Sequence, residues 1–79
     1  MKTINNYDIK ADSFFGGVGY LKEVGEYQQE AYDILGIEGD LDDDEWCDIC
    51  IADNGKKYAV FGDTAAHNYG NFYFKEIEE

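Results

Sequence analysis

The sequence predicts an α+β domain, with one main amphipathic helix packed on a small antiparallel sheet of three to four strands. Three observations lead there. Between Tyr20 and Gly36, apolar residues recur at steps of three and four, the period of a helix with one buried face. From Trp46 to Ile51, and again from Asn71 to Ile77, they alternate as a strand requires. Between those runs, Asp53-Asn54-Gly55 is a turn of the kind that joins hairpin strands. With seven Tyr, five Phe and one Trp in 79 residues, a single domain can fold on aromatic area without metal or disulfide.

Taken in order, Thr3 to Ile9 reads as a short strand, with Ile4, Tyr7 and Ile9 making its apolar contacts. Asp12-Ser13 is a turn, and Phe14 and Phe15 lead into Gly16, Gly17 and Gly19. This glycine run lacks the spacing and terminal Lys-Ser/Thr of a phosphate loop, so it reads as a connection packed down by two Phe rings. The helix follows over 20–36. At about 100° per residue, Tyr20, Leu21, Val24, Tyr27, Ala31, Ile34 and Leu35 fall within an arc of roughly 140°. Glu23, Glu26, Glu30 and Asp33 fall within a neighbouring arc roughly 80° wide, with Lys22 near its edge. Gly25, away from the apolar stripe, costs about 1 kcal/mol relative to Ala and marks a place to bend or divide the helix. Gly36 follows the last apolar residue, where a left-handed cap favours a residue without Cβ.

After Ile37, six of the eight residues from Glu38 to Glu45 are acidic, and they read as a loop. Asp40, Asp42 and Asp44 match positions 1, 3 and 5 of a calcium-binding EF-hand loop. Position 6 is Glu45 rather than Gly, and position 12 is Ile51 rather than Glu, so weak divalent-ion binding fits better than an EF-hand. In the strand Trp46–Ile51, Cys47, Ile49 and Ile51 share one face, and Trp46, Asp48 and Cys50 the other. Lys56 to Phe61 forms the second hairpin strand. Gly62 to Gly70 reads as a loop before the last strand, which sets Phe72 and Phe74 on one face and Tyr73 and Lys75 on the other.

Charge is the outlier. Eighteen Asp and Glu face six Lys and no Arg, a formal net charge of −12. Such self-repulsion destabilises a compact chain. It argues against direct binding of nucleic acid or an anionic membrane, since both want cationic footprints, and favours a basic partner, a cation or high salt. With no signal-peptide core and no long apolar run, a soluble cytoplasmic protein is expected. Cys47 and Cys50 have the spacing of a metal knuckle or redox pair, but on a strand they point to opposite faces, which predicts two reduced core cysteines. His67 is the only histidine and sits in a polar loop; no nucleophile motif accompanies it. No catalytic residue, cofactor or metal centre is therefore expected.

On a helix, carboxylates three and four residues apart lie about 4.5–6 Å apart along the axis. Duplex DNA offers one charge per roughly 1.7 Å, over two strands. A ladder of Glu23, Glu26, Glu30 and Asp33 beside a second strip, Glu38, Asp40, Asp42, Asp43, Asp44, Glu45 and Asp48, therefore approximates a short run of phosphates. A surface whose lysines and arginines are arranged for DNA would meet it. Tyr32 and Tyr69 would add aromatic contacts.

In size, charge and aromatic content the chain resembles the small DNA-mimic inhibitors of phages and mobile elements: anti-restriction proteins, anti-CRISPR proteins and uracil-DNA glycosylase inhibitors. The resemblance spans the whole chain in character and matches no signature motif, so no residue is carried over. It implies an inhibitor that occupies the basic surface of a nucleic-acid-binding protein or nuclease complex. Two alternatives share the acidic surface: an immunity or antitoxin protein that neutralises a cognate nuclease toxin, and a cation-binding acidic domain.

Overall fold

The computed structural model describes residues 3–15, 18–24, 28–66 and 69–78, with backbone alone for 64–66 and 69. It corrects the predicted α+β class. The chain is mostly sheet, 54% strand against 11% helical, with one short helix. In chain order the elements are β1 (Thr3–Ile4), β2 (Ile9–Ser13), β3 (Leu21–Glu23), α1 (Gln28–Ile34), β4 (Ile37–Glu38), β5 (Glu45–Ala52), β6 (Lys57–Ala66) and β7 (Tyr69–Ile77). Five strands form one antiparallel sheet in the order β2-β7-β6-β5-β3, and β1 pairs with β4 in a second, two-stranded sheet.

The alternation in β5 and β7 builds the core as expected. Register sets Cys47 opposite Phe61 and Ile49 opposite Ala59, while Trp46 faces Gly62 and Cys50 faces Tyr58. In β7, Phe72 and Phe74 lie opposite Gly62 and Val60. The first face buries Cys47, Ile49, Ala59 and Phe61 beneath Ala31, Leu35 and Ile37. The second buries Cys50, Val60, Phe72 and Phe74 with Val18 and Leu21. Among the described residues no charged side chain is fully buried, so each core is closed mainly by apolar contact, with Cys47 Sγ also donating to Gln28 O at 3.2 Å.

The long helix over 20–36 is overturned. Leu21–Glu23 is an edge strand, with Leu21 opposite Ala52 and Glu23 opposite Cys50. Leu21 enters the second core, whereas Val24 packs against the first. A step of three puts two residues on one side of a helix but on opposite sides of a strand. Leu21 starts the strand in one core and Val24, one residue past its end, reaches the other, so this edge segment imitates helical spacing although Lys22 and Glu23 are exposed. Gly25, Glu26 and Tyr27 lie outside the described residues.

What remains helical is Gln28–Ile34, too short to persist alone. Ala31 and Leu35 bury completely, as their spacing predicts. Gly36 takes the expected left-handed conformation, with φ 60°. Two asparagines complete the cap from outside: Asn6 Nδ2 donates to Ile34 O at 2.8 Å, and Asn5 Nδ2 to Gly36 O at 2.9 Å. The predicted strand Thr3–Ile9 is therefore split in two, because Asn5 and Asn6 leave the extended run to close the helix end.

Two further corrections have a single kind of cause. Asp12 and Ser13 continue β2 rather than turning, since β7 supplies a partner strand. The predicted loop Gly62–Gly70 is largely strand, as β6 runs to Ala66 and β7 begins at Tyr69. His67 lies outside the described residues. Gly62 misleads because its lack of side chain serves packing: a Cβ there would stand 2.5 Å from Trp46 Cε2. Opposite sheet edges β2 and β3 are joined by the link 14–20, whose Phe14 and Val18 pack on the second face. Among the described residues no helix is long and apolar enough to cross a membrane.

Candidate functional site

The segment 28–45 covers the first face of the sheet and carries Glu30, Asp33, Glu38, Asp40, Asp42, Asp43, Asp44 and Glu45 without a single lysine. Its apolar anchors, Ala31, Leu35, Ile37 and Leu41, point into the core. Helical geometry then turns Glu30 and Asp33 outward, where both are exposed. Glu38, Asp40, Asp42, Asp43 and Asp44 are also exposed, and Glu45 is half-buried.

Local bonds hold this layer in shape. Asp42 N donates to Glu45 Oε1 at 2.7 Å, and Glu45 N donates back to Asp42 O at 3.0 Å, which leaves Asp43 and Asp44 at the tip of the turn. The Tyr32 hydroxyl donates to Gly39 O and ties the helix to the acidic loop. Glu38 Oε2 accepts from Asn5 Nδ2 at 3.1 Å, and Asp33 Oδ1 from Gln29 Nε2 at 2.9 Å. Between helix and loop, Gln28, Gln29, Tyr32, Asp40 and Leu41 line an open groove of about 360 Å³. Sequence reasoning nominated Asp40 and Tyr32 but missed the rest. The available signal was the Gln28-Gln29 pair beside Glu30.

The described lysines lie elsewhere, on the five-stranded sheet or its hairpin turn: Lys10, Lys22, Lys56, Lys57 and Lys75. Lys75 Nζ meets Asp8 Oδ1 at 3.3 Å, Lys56 Nζ meets Glu76 Oε1 at 3.3 Å, and Lys10 lies over the Tyr73 ring at 5.5 Å. Asp8 also accepts from Glu76 N at 3.0 Å. That backbone bond, then Lys75, holds its carboxyl below the ordinary range. Among the described residues no lysine pairs with Glu30, Asp33, Glu38, Asp40, Asp42, Asp43 or Asp44.

The predicted four-carboxylate ladder does not form as a helix face. Glu23 belongs to β3, Glu26 lies outside the described residues, and only Glu30 and Asp33 share α1. Asp48 also leaves its predicted strip. It shares the Trp46 and Cys50 face of β5, opposite the face that the acidic loop covers. There it is the diagonal cross-strand neighbour of Glu23. Burial, followed by the hydrogen bond and charge of Glu23, pushes its carboxyl up to about 6. Near that pH Asp48 takes up a proton, which removes its charge from beside Glu23.

Cys47 and Cys50 are free and buried, one in each core. Burial pushes their thiols up to about 11 and about 12, which suppresses the nucleophilic thiolate. The acidic loop runs into strand β5, not into a helix. Among the described residues no three His, Cys, Asp or Glu gather into a metal-holding cluster. Tyr32 is half-buried, and the Tyr69 side chain is outside what is described. Among the described residues the exposed aromatics are Tyr7, Phe15 and Tyr20; the last two stack with centroids 5.4 Å apart and planes 15° apart. Tyr20 had been expected on a buried helical stripe, yet it is 62% exposed. Comparison with protein-family models, with curated proteins and with solved structures finds no match.

Proposed function

We propose that this protein is an acidic decoy, a cytoplasmic inhibitor that occupies the basic DNA- or RNA-binding surface of a host defence or repair enzyme. The observation that supports this reading is a cover of one sign: seven exposed carboxylates on a lysine-free segment, while the described lysines share the sheet and its flanks with Asp8, Asp12, Glu23, Asp48, Asp53, Asp63, Glu76 and Glu78. The domain measures 33 × 26 × 21 Å. Exposed charges interact over a Debye length of about 10 Å at moderate salt, so neighbouring carboxylates on one cover reinforce each other's field. Two of the lysines, Lys56 and Lys75, neutralise carboxylates of the sheet, Glu76 and Asp8. A concentrated field of one sign speeds encounter with an oppositely charged cleft by about 10- to 1,000-fold. The partner is thus a nuclease complex or other nucleic-acid-binding protein.

Displacement of a labelled DNA duplex tests this directly. A panel of restriction, CRISPR and base-excision enzymes is loaded with duplex at about 50 mM salt and titrated with the protein. Displacement from at least one member is expected, weakening steeply by about 200 mM. The quadruple substitution Asp40→Asn, Asp42→Asn, Asp43→Asn, Asp44→Asn should abolish it. Displacement by that variant at wild-type strength, or by neither protein from any enzyme, would overturn the proposal.

The immunity or antitoxin reading has one observation in its favour, the exposed Phe15–Tyr20 stack, which suits a shape-specific contact with a toxin. Under that reading Phe15→Ala with Tyr20→Ala removes inhibition, whereas the quadruple Asn variant retains most of it.

A further inference from the structure

We infer that the groove between α1 and the acidic loop seats an arginine side chain of the basic partner. The inference rests on the decoy reading above and adds to it a specific chemistry. Four observations carry it. The groove, about 360 Å³ and open to solvent, has room for an arginine side chain. Its lining pairs apolar surface, Leu41 and the Tyr32 ring, with polar acceptors, Asp40 and the two glutamines. An arginine needs this combination, because its aliphatic stem wants apolar contact and its planar guanidinium wants an aromatic face and a carboxylate. The Tyr32 hydroxyl is already bound to Gly39 O, so the ring is held in place before any ligand arrives.

The donors and acceptors agree. Gln29 Nε2 is engaged by Asp33 Oδ1, which leaves its Oε1 as the atom to accept from a guanidinium. One carboxylate with neutral amides is too little charge for a divalent cation, which wants six or more oxygens, but matches one monovalent guanidinium. The surrounding cover holds Glu30, Asp33, Asp42, Asp43 and Asp44, which bias the approach of any cation toward the groove. An ammonium finds the same field but gains less from the Tyr32 ring and cannot bridge Asp40 in a two-pronged fashion.

Binding of labelled oligo-arginine and oligo-lysine peptides of equal length, read by anisotropy at constant salt, separates this inference from the reading beneath it. Arginine is expected to bind about three- to fivefold tighter than lysine, the margin typical of stacking at a partly exposed site. Tyr32→Leu should erase the margin by bringing arginine affinity down to that of lysine, and Asp40→Asn should reduce it. Because Tyr32 also packs on the core, amide NMR of the wild-type protein gives a second readout. Oligo-arginine should shift the Gln28 and Gln29 side-chain amides, and oligo-lysine should leave them nearly in place. Equal affinity for both peptides, with those amides unmoved, overturns the groove while the decoy reading stands. Binding of neither peptide at low salt overturns both.

Discussion

The described residues of the link 14–20 and the segment 28–45 lie on opposite faces of the same sheet, yet they are made of opposite materials. The link contains no charged residue and holds on through Phe14 and Val18, with the Phe14 ring 5.7 Å from Trp46 and 6.2 Å from Phe72. The segment carries eight carboxylates and no lysine, yet it too closes a core, through Ala31, Leu35, Ile37 and Leu41. A few apolar anchors are enough to attach a cover, and the remaining positions are then open to any polar content. Among the described residues, Asp33, Glu38 and Glu45 accept hydrogen bonds that hold the cover, but the side chains of Glu30, Asp40, Asp42, Asp43 and Asp44 take no part in its packing. The charge opposes compaction, which is why a role outside the fold is the better account of it.

The comparison is broken most severely at its anchor. Leu35 is fully buried beneath the acidic cover, and Leu35→Ala should cost about 3 kcal/mol in urea unfolding, within the usual range for such cavities. A loss under about 1 kcal/mol would mean that the cover is not held by its apolar anchors. On the uncharged side, Gly62→Ala forces the Trp46 ring to move, at about 2 kcal/mol and with a shift in Trp46 emission. Unchanged emission would count against the close approach.

Asp48 provides the next effect, and its sign is opposite to that of Asp8. Its folded value of about 6 lies above the ordinary 3.8, so the native state binds more protons than the unfolded chain between those values. Stability should therefore fall as pH rises from about 4 to about 6. Asp8 is held low, so its contribution is present above its ordinary value of 3.8 and disappears as pH falls through its folded value. Asp48→Asn should flatten the slope between pH 4 and 6 and raise stability at pH 7 by about 1 kcal/mol, a figure reduced for the solvent that still reaches the group. Thermal melts at several pH values would show it, and an unchanged slope would count against the raised Asp48 carboxyl.

Smallest is the effect of the charge itself. Asp42→Asn, Asp43→Asn and Asp44→Asn together should stabilise by a few tenths of a kcal/mol at low salt, because exposed charges interact weakly. The gain should vanish near 1 M salt, where the Debye length is about 3 Å. A loss of stability instead would show that these carboxylates serve the fold.

Legibility followed the range of the interaction. The two faces of β5 and β7 were readable because alternation is a property of the strand alone, and the asparagine-glycine turn and the Gly36 cap because φ preference is local. The lysine-free acidic run was plain in the residues themselves. The groove was half readable: Asp40 and Tyr32 could be nominated, but the approach of Gln28 and Leu41 depends on how the loop folds back over the helix. Leu21 and Val24 misled because their spacing satisfies a helix with one buried side and a strand with two.

By itself, then, the sequence determined the charge balance, the alternating faces, the Asp53–Gly55 turn and the helix stop at Gly36, all of which need only neighbours in the chain. Tertiary structure alone decided that Leu21–Glu23 pairs with β5, that β6 continues through Gly62 under the Trp46 ring, and that Asp48 turns away from the acidic loop toward Glu23. Each of these depends on what lies across the sheet. A backbone amide or an apolar side chain commits to a strand only when a partner is there to receive it.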